Sequence, residues 1–116
     1  MGYSHYFTTK RSFTNNEWKK IMEKSKEILN NSFIGNAFGE NNSKPIIEED
    51  YIGFNGIGEM GYETCSLEKE PEEHWNACKT GNRSYDWFVV AFLKMVRQIA
   101  PDAIELRSDG GKEVFA

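Results

Sequence analysis

Apolar and polar positions change period several times along the chain, and each change marks a predicted element. Residues 3 to 8, Tyr-Ser-His-Tyr-Phe-Thr, set Tyr3, His5 and Phe7 on one side and Ser4, Tyr6 and Thr8 on the other, the two-residue period of a strand. Thr14-Asn15-Asn16-Glu17 then has the form of a capping box, in which the threonine hydroxyl accepts a first-turn amide and the glutamate reaches back. A helix follows from it. Trp18, Ile21, Met22, Ser25, Ile28 and Leu29 recur at three and four residues, while Lys19, Lys20, Glu23, Lys24 and Glu27 fall on the opposite face.

Residues 30 to 44 are dense in Asn, Gly and Ser and read as a loop with Phe33, Ile34 and Phe38 as anchors. Short strands are expected at 46–48 and 51–54 across the acidic turn Glu49-Asp50, and a further strand at 62–67, where Tyr62, Thr64 and Ser66 alternate with Glu63, Cys65 and Leu67. Glu68, Glu70, Glu72 and Glu73 mark a solvated acidic loop. Ser84 is placed to cap a second helix with Asp86 in its first turn, and Pro101 ends it. Tyr85, Phe88, Val89, Phe92, Leu93, Val96 and Ile99 give this helix a broad apolar stripe that Trp87, Val90 and Ala91 widen, so it is expected to be covered on two sides, by the rest of the fold or by another copy of the chain. Residues 103 to 108 alternate as a last strand before the turn Asp109-Gly110-Gly111. The order β-α-β-β-β-α-β gives the α+β class, with two helices and a mostly antiparallel sheet, in one domain spanning residues 1–116.

Gly56-Ile57-Gly58-Glu59-Met60-Gly61 is a literal G-x-G-x-x-G after a strand, the spacing of a dinucleotide-binding turn. In that fold the turn opens a helix whose amides hold the pyrophosphate. Here a strand-like segment follows instead, so the glycines read as a hairpin connection that needs positive φ. Phosphate contact by turn amides remains compatible with that reading.

A net charge of −4 argues against a surface for duplex nucleic acid, which shows as a basic excess. It leaves room for a small anion held by two or three converging cations. Cys65 and Cys78 are the only cysteines and have no zinc-ligand spacing, so neither a metal nor a cofactor is expected and the pair reads as buried thiols. The first residues lack the apolar core of a signal peptide and the longest apolar run is too short for a bilayer, which points to the cytoplasm and to no membrane role.

Lys79, Thr80, Asn82 and Arg83 crowd the start of the second helix, where free amides favour an anion. Two readings stand: loop charges that answer the acidic run before them, or phosphate contacts, with Arg83 a planar fork and Lys79 a point charge. Serines are plentiful, but the spacing assembles no nucleophile, base and orienting group, so no catalysis is expected.

The segments Met1-Gly-Tyr-Ser-His-Tyr-Phe7, Phe54-Asn-Gly56, Cys78-Lys-Thr80 followed by Ser84-Tyr-Asp86, and Ser108-Asp-Gly-Gly111 together resemble a widespread family of small phage proteins, over nearly the whole chain. Within it the chain looks like the anti-CBASS sponges, which bind cyclic-dinucleotide immune signals such as 3′3′-cGAMP and assemble as homotetramers. The resemblance implies a phage immune-evasion protein of the host cytoplasm that sequesters its ligand without cleaving it. It casts Tyr3, His5 and Tyr6 as stacking or base-edge contacts, Lys79 and Arg83 as phosphate contacts, and Asn55, Thr80, Ser108 and Asp109 as hydrogen-bonding supports. A phage protein that inhibits a host protein and a small nucleotide-cleaving enzyme are the alternatives.

Overall fold

A computed structural model describes residues 2–116. The fold is α+β, and every strand pairing in it is antiparallel. Strand β1 (Ser4–Thr9) leads through the capped helix α1 (Asn15–Ile28) to β2 (Ile34–Gly35), β3 (Ile46–Ile47), β4 (Tyr51–Gly56), β5 (Cys65–Glu68) and β6 (Trp75–Lys79), then α2 (Asp86–Ile99) and β7 (Ile104–Ser108). Two of these strands were not expected: β2 lies in the Asn/Gly loop and β6 follows the acidic run. The third meander strand also starts later than its alternation suggests, at Cys65 rather than Tyr62.

The strands form two sheets. In one, β1 is central between β6 and β7. In the other, β4 pairs with β2, β3 and β5. The alternation of β1 is resolved as expected: His5, Phe7 and Thr9 are buried, whereas Ser4, Tyr6 and Thr8 face outward. Both halves of the capping box form, the Thr14 hydroxyl accepting the Glu17 amide and the Glu17 carboxylate accepting the Thr14 amide. Arg11 grips that same Glu17 with two nitrogens at 2.9 Å and holds Asp102 with the rest of its fork, which ties the start of α1 to the turn before β7. Its hydrogen bonds hold the Glu17 carboxyl down at about 2, far below the ordinary value of 4.5.

The core gathers Trp18, Ile21 and Leu29 from the α1 side, Ile52 and Phe54 from β4, and Val89, Phe92, Leu93 and Val96 from α2. Phe54 meets Phe92 edge to face, with centroids 5.2 Å apart, so β4 is seated directly on α2. Helix α2 begins at Asp86 after Tyr85, and Ser84 supplies no cap. Its second apolar side is not covered within the chain: Trp87 is 67% exposed beside Phe88. Among the described residues no helix is long and apolar enough to cross a membrane.

The glycine segment is strand, turn, strand, as the sequence implies. β4 and β5 pair from Tyr51 with Glu68 to Phe54 with Cys65, and a 3-10 turn at Gly58–Met60 connects them. Gly58 takes a positive φ of 54°. Gly61 has an extended backbone, and its constraint is steric: a Cβ there would lie 2.3 Å from Asn55 Oδ1.

Candidate functional site

The chain segments whose motifs stand out in the sequence converge around the start of α2. His5 is fully buried, and its Nε2 donates to Asp86 Oδ1 at 2.6 Å. An ionised carboxylate only accepts, so Nε2 carries a proton, and Nδ1 is hydrogen-bonded to Ser108 Oγ at 2.9 Å. Thr80, also fully buried, donates its hydroxyl to the same Asp86 oxygen and accepts the Asn82 amide. Burial opposes ionisation of Asp86, but the hydrogen bonds from His5 and Thr80 outweigh it and hold the carboxyl below its ordinary range. Tyr3 and Phe115 stand edge-on to the imidazole at 5.3 and 5.4 Å. Ser108 Oγ further accepts the Gly110 amide.

Sequence spacing had assembled no nucleophile, base and orienting group, yet Ser108, His5 and Asp86 lie in one hydrogen-bonded line. The ring between them is sealed from solvent. What the line does in the fold is join the central strand β1 to β7 and to the first turn of α2. Asp109 extends it outward, accepting the Ser4 amide at 3.0 Å and the Tyr6 hydroxyl at 3.1 Å.

The outer face of the β6-β1-β7 sheet carries the accessible chemistry. Residues paired across antiparallel strands share a face, so Lys79 opposite Ser4, Ala77 opposite Tyr6, and Arg107 on the other flank of Tyr6 all point the same way. Tyr6 stacks on Trp75 at 5.8 Å with ring planes 28° apart, and Trp75 is 56% exposed. Ala77, small and exposed, leaves a shelf between Trp75 and Lys79, which lie about 13 Å apart along the strand.

Beyond the end of β6 the chain turns sharply. Gly81 and Asn82 both have positive φ, at 58° and 57°, and the Arg83 amide donates to Thr80 O at 3.0 Å, the signature of a type I′ turn. That turn brings the two cations together: Lys79 Nζ lies 5.3 Å and the Arg83 guanidinium 4.9 Å from the centroid of the Tyr62 ring, which is 45% exposed. Arg83 is steadied by the carbonyls of Glu59 and Gly61 in the glycine connection. Asn55 stands behind it, bonding the Gly56 and Tyr62 amides through Oδ1 and the Tyr62 carbonyl through Nδ2.

Compared with protein-family models, curated proteins and solved structures, the chain gives no match. The geometry therefore stands alone. It sorts the residues singled out from the sequence into two groups. Tyr6, Lys79 and Arg83 reach the surface, whereas His5, Thr80 and Asn55 are buried with partners inside the chain, out of reach of a ligand on the outer face. Tyr3, Ser108 and Asp109 lie between the groups, holding the turn after β7 against β1. Sequence reasoning missed Tyr62, Trp75 and Arg107. Their aromatic and basic character was visible, but the strand that aligns Trp75 with Tyr6 was not.

Chemically, the face offers flat rings for stacking and cations for phosphate. A cation over an exposed ring gains about 0.5 to 1 kcal/mol, enough to bias Lys79 and Arg83 toward Tyr62 without neutralising them. Among the described residues no group of three or more His, Cys, Asp and Glu side chains is arranged to hold a metal.

Proposed function

We propose that the protein captures a cyclic dinucleotide, intact, on the outer face of the β6-β1-β7 sheet, as a phage sponge for such immune signals. The observation that carries this reading is the gathering of Lys79 and Arg83 on the single ring of Tyr62. Two like charges held together repel, and a bound phosphodiester relieves the repulsion while gaining charged hydrogen bonds. The neighbouring Tyr6 and Trp75 add stacking surface at the scale of a base, worth about 1 to 3 kcal/mol per base. Sequestration needs affinity and stoichiometry only: protein in excess, with a dissociation constant below that of the host receptor, keeps free signal under its threshold. The platform is an open face, so a tight site is completed by a second copy, and exposed Trp87 on α2 is the apolar surface through which copies associate.

Calorimetric titration with 3′3′-cGAMP and a panel of cyclic dinucleotides tests the reading. Lys79→Ala and Arg83→Ala are each expected to cost about 2 kcal/mol, or roughly thirtyfold in affinity. Absence of binding to every member of the panel rejects it. A second reading, a nucleotide-cleaving enzyme, is favoured by the Asp86-His5-Ser108 line. Chromatography of ligand released by heat separates the two: intact cyclic dinucleotide supports the sponge, and linear product accumulating with time supports the enzyme.

A further inference from the structure

The cleft between the C-terminal end of α1 and the 30–45 loop lies away from the platform, and its makeup differs from the rest of the surface. Its volume is about 600 Å³, within the range of small-molecule sites. The floor is apolar: Leu29 and Ile34 are buried there, and Ile47 borders them. The rim carries Lys26, Lys44, Asn30 and Asn42, all four exposed. Among the described residues neither lysine forms an ion pair.

In a chain of net charge −4, no carboxylate lines this cleft. The end of α1 contributes about half a negative charge through its free carbonyls, and two ammonium groups exceed it. The local field is therefore positive, and a low-dielectric floor beneath it strengthens the attraction for an anion. An inorganic ion would leave the floor and most of the volume unused. A ligand that satisfies all the parts has one anionic group for the lysines, hydroxyls for the two carboxamides, and a ring whose apolar side lies on the half-buried Pro45 and Ile47, above Leu29 and Ile34.

We propose that this cleft binds a sugar phosphate, independently of the cyclic-dinucleotide platform. Ribose 5-phosphate is the probe, with ribose and inorganic phosphate as the two halves of its chemistry, followed through the backbone amide resonances of the intact chain. The expected result is saturable shifts at Lys26, Asn30, Asn42 and Lys44, at least about tenfold tighter for ribose 5-phosphate than for either half, with the amides of Tyr6 and Trp75 unmoved. Charge reversal at both lysines, K26E with K44E, is expected to abolish the shifts. Each lysine is exposed, and the single variant K44E, expected to weaken binding about tenfold, serves if the double variant does not fold. Equal affinity for inorganic phosphate, shifts that survive charge reversal, or no saturable shift at these four amides overturns the proposal.

Discussion

Replacing His5 by alanine separates a scaffold role from a ligand role. The substitution removes the donor to Asp86 and the ring partner of Ser108, and it leaves a void between Tyr3 and Phe115. A hydrogen bond to a charged group contributes about 1.5 to 3 kcal/mol and a neutral one about 1. Asp86 retains Thr80 and Ser108 retains the Gly110 amide, which limits the loss at each end. The empty space where the ring stood adds about 2 kcal/mol, giving a total near 4 to 5 kcal/mol. That is a large share of the stability of about 5 to 15 kcal/mol usual for such a domain. With a urea slope of about 1.5 to 2 kcal/mol per molar, the unfolding midpoint falls by roughly 2 to 3 M. Cyclic-dinucleotide affinity of the protein that remains folded stays within about threefold of wild type, because the imidazole has no surface on the platform. Lys79→Ala is expected to do the reverse, weakening binding at an unchanged midpoint. A His5→Ala protein that keeps its midpoint within about 0.5 M and loses binding refutes the argument.

Gly58→Ala is expected to cost about 1 kcal/mol through its left-handed backbone, and Gly61→Ala about 3 kcal/mol because its Cβ meets Asn55 and Gly56; thermal melts giving the opposite order would reject the two causes. Because the Glu17 carboxyl is lowered from 4.5 to about 2 in the fold, its pairing with Arg11 stabilises the protein fully above about pH 4.5 and is lost as pH falls toward 2. The gap in urea midpoint between wild type and Arg11→Met should therefore narrow from pH 6 to pH 3 without closing; a constant gap contradicts the linkage. Asp86, also lowered, adds to stability in the same sense. Analytical ultracentrifugation is expected to show an oligomer larger than a dimer that Trp87→Glu dissociates; a wild-type monomer at micromolar concentration removes the shared site.

The elements legible in the sequence are those whose signal is local. The alternation of β1, the capping box at Thr14 and Glu17, and the stop at Pro101 each depend on residues within a few positions of one another, and each is in place in the fold. Strand β6 was hidden because its apolar Trp75 and Ala77 lie on the exposed face while polar Asn76 shares the inner face with Cys78, so hydropathy along it does not follow the alternation of the strand. Its strand character comes from pairing with β1, a relation between distant segments. The site divides in the same way. Lys79 and Arg83 are neighbours in sequence and were found together, whereas Tyr62 joins them through the glycine connection and Trp75 joins Tyr6 through sheet register. His5 and Thr80 belong to conspicuous motifs, and a motif does not say whether its polar atoms point at a ligand or at one another.

The central place of β1 also governs how the chain can fold as it is made. Its two neighbours in the sheet are Trp75–Lys79 and Ile104–Ser108, so both edges of β1 stay open until the opposite half of the chain has been synthesised. At about 5 to 20 residues per second, this leaves β1 without a partner for on the order of 4 to 14 s after it has been translated, until β6 is made, and with one edge open until β7 follows. During that interval Tyr6 and Phe7 lie on a strand with free amides and carbonyls on both sides, the kind of segment that pairs with other chains. A ribosome stalled before residue 104 would hold a nascent chain whose central strand has at most one partner, a natural substrate for a holding chaperone.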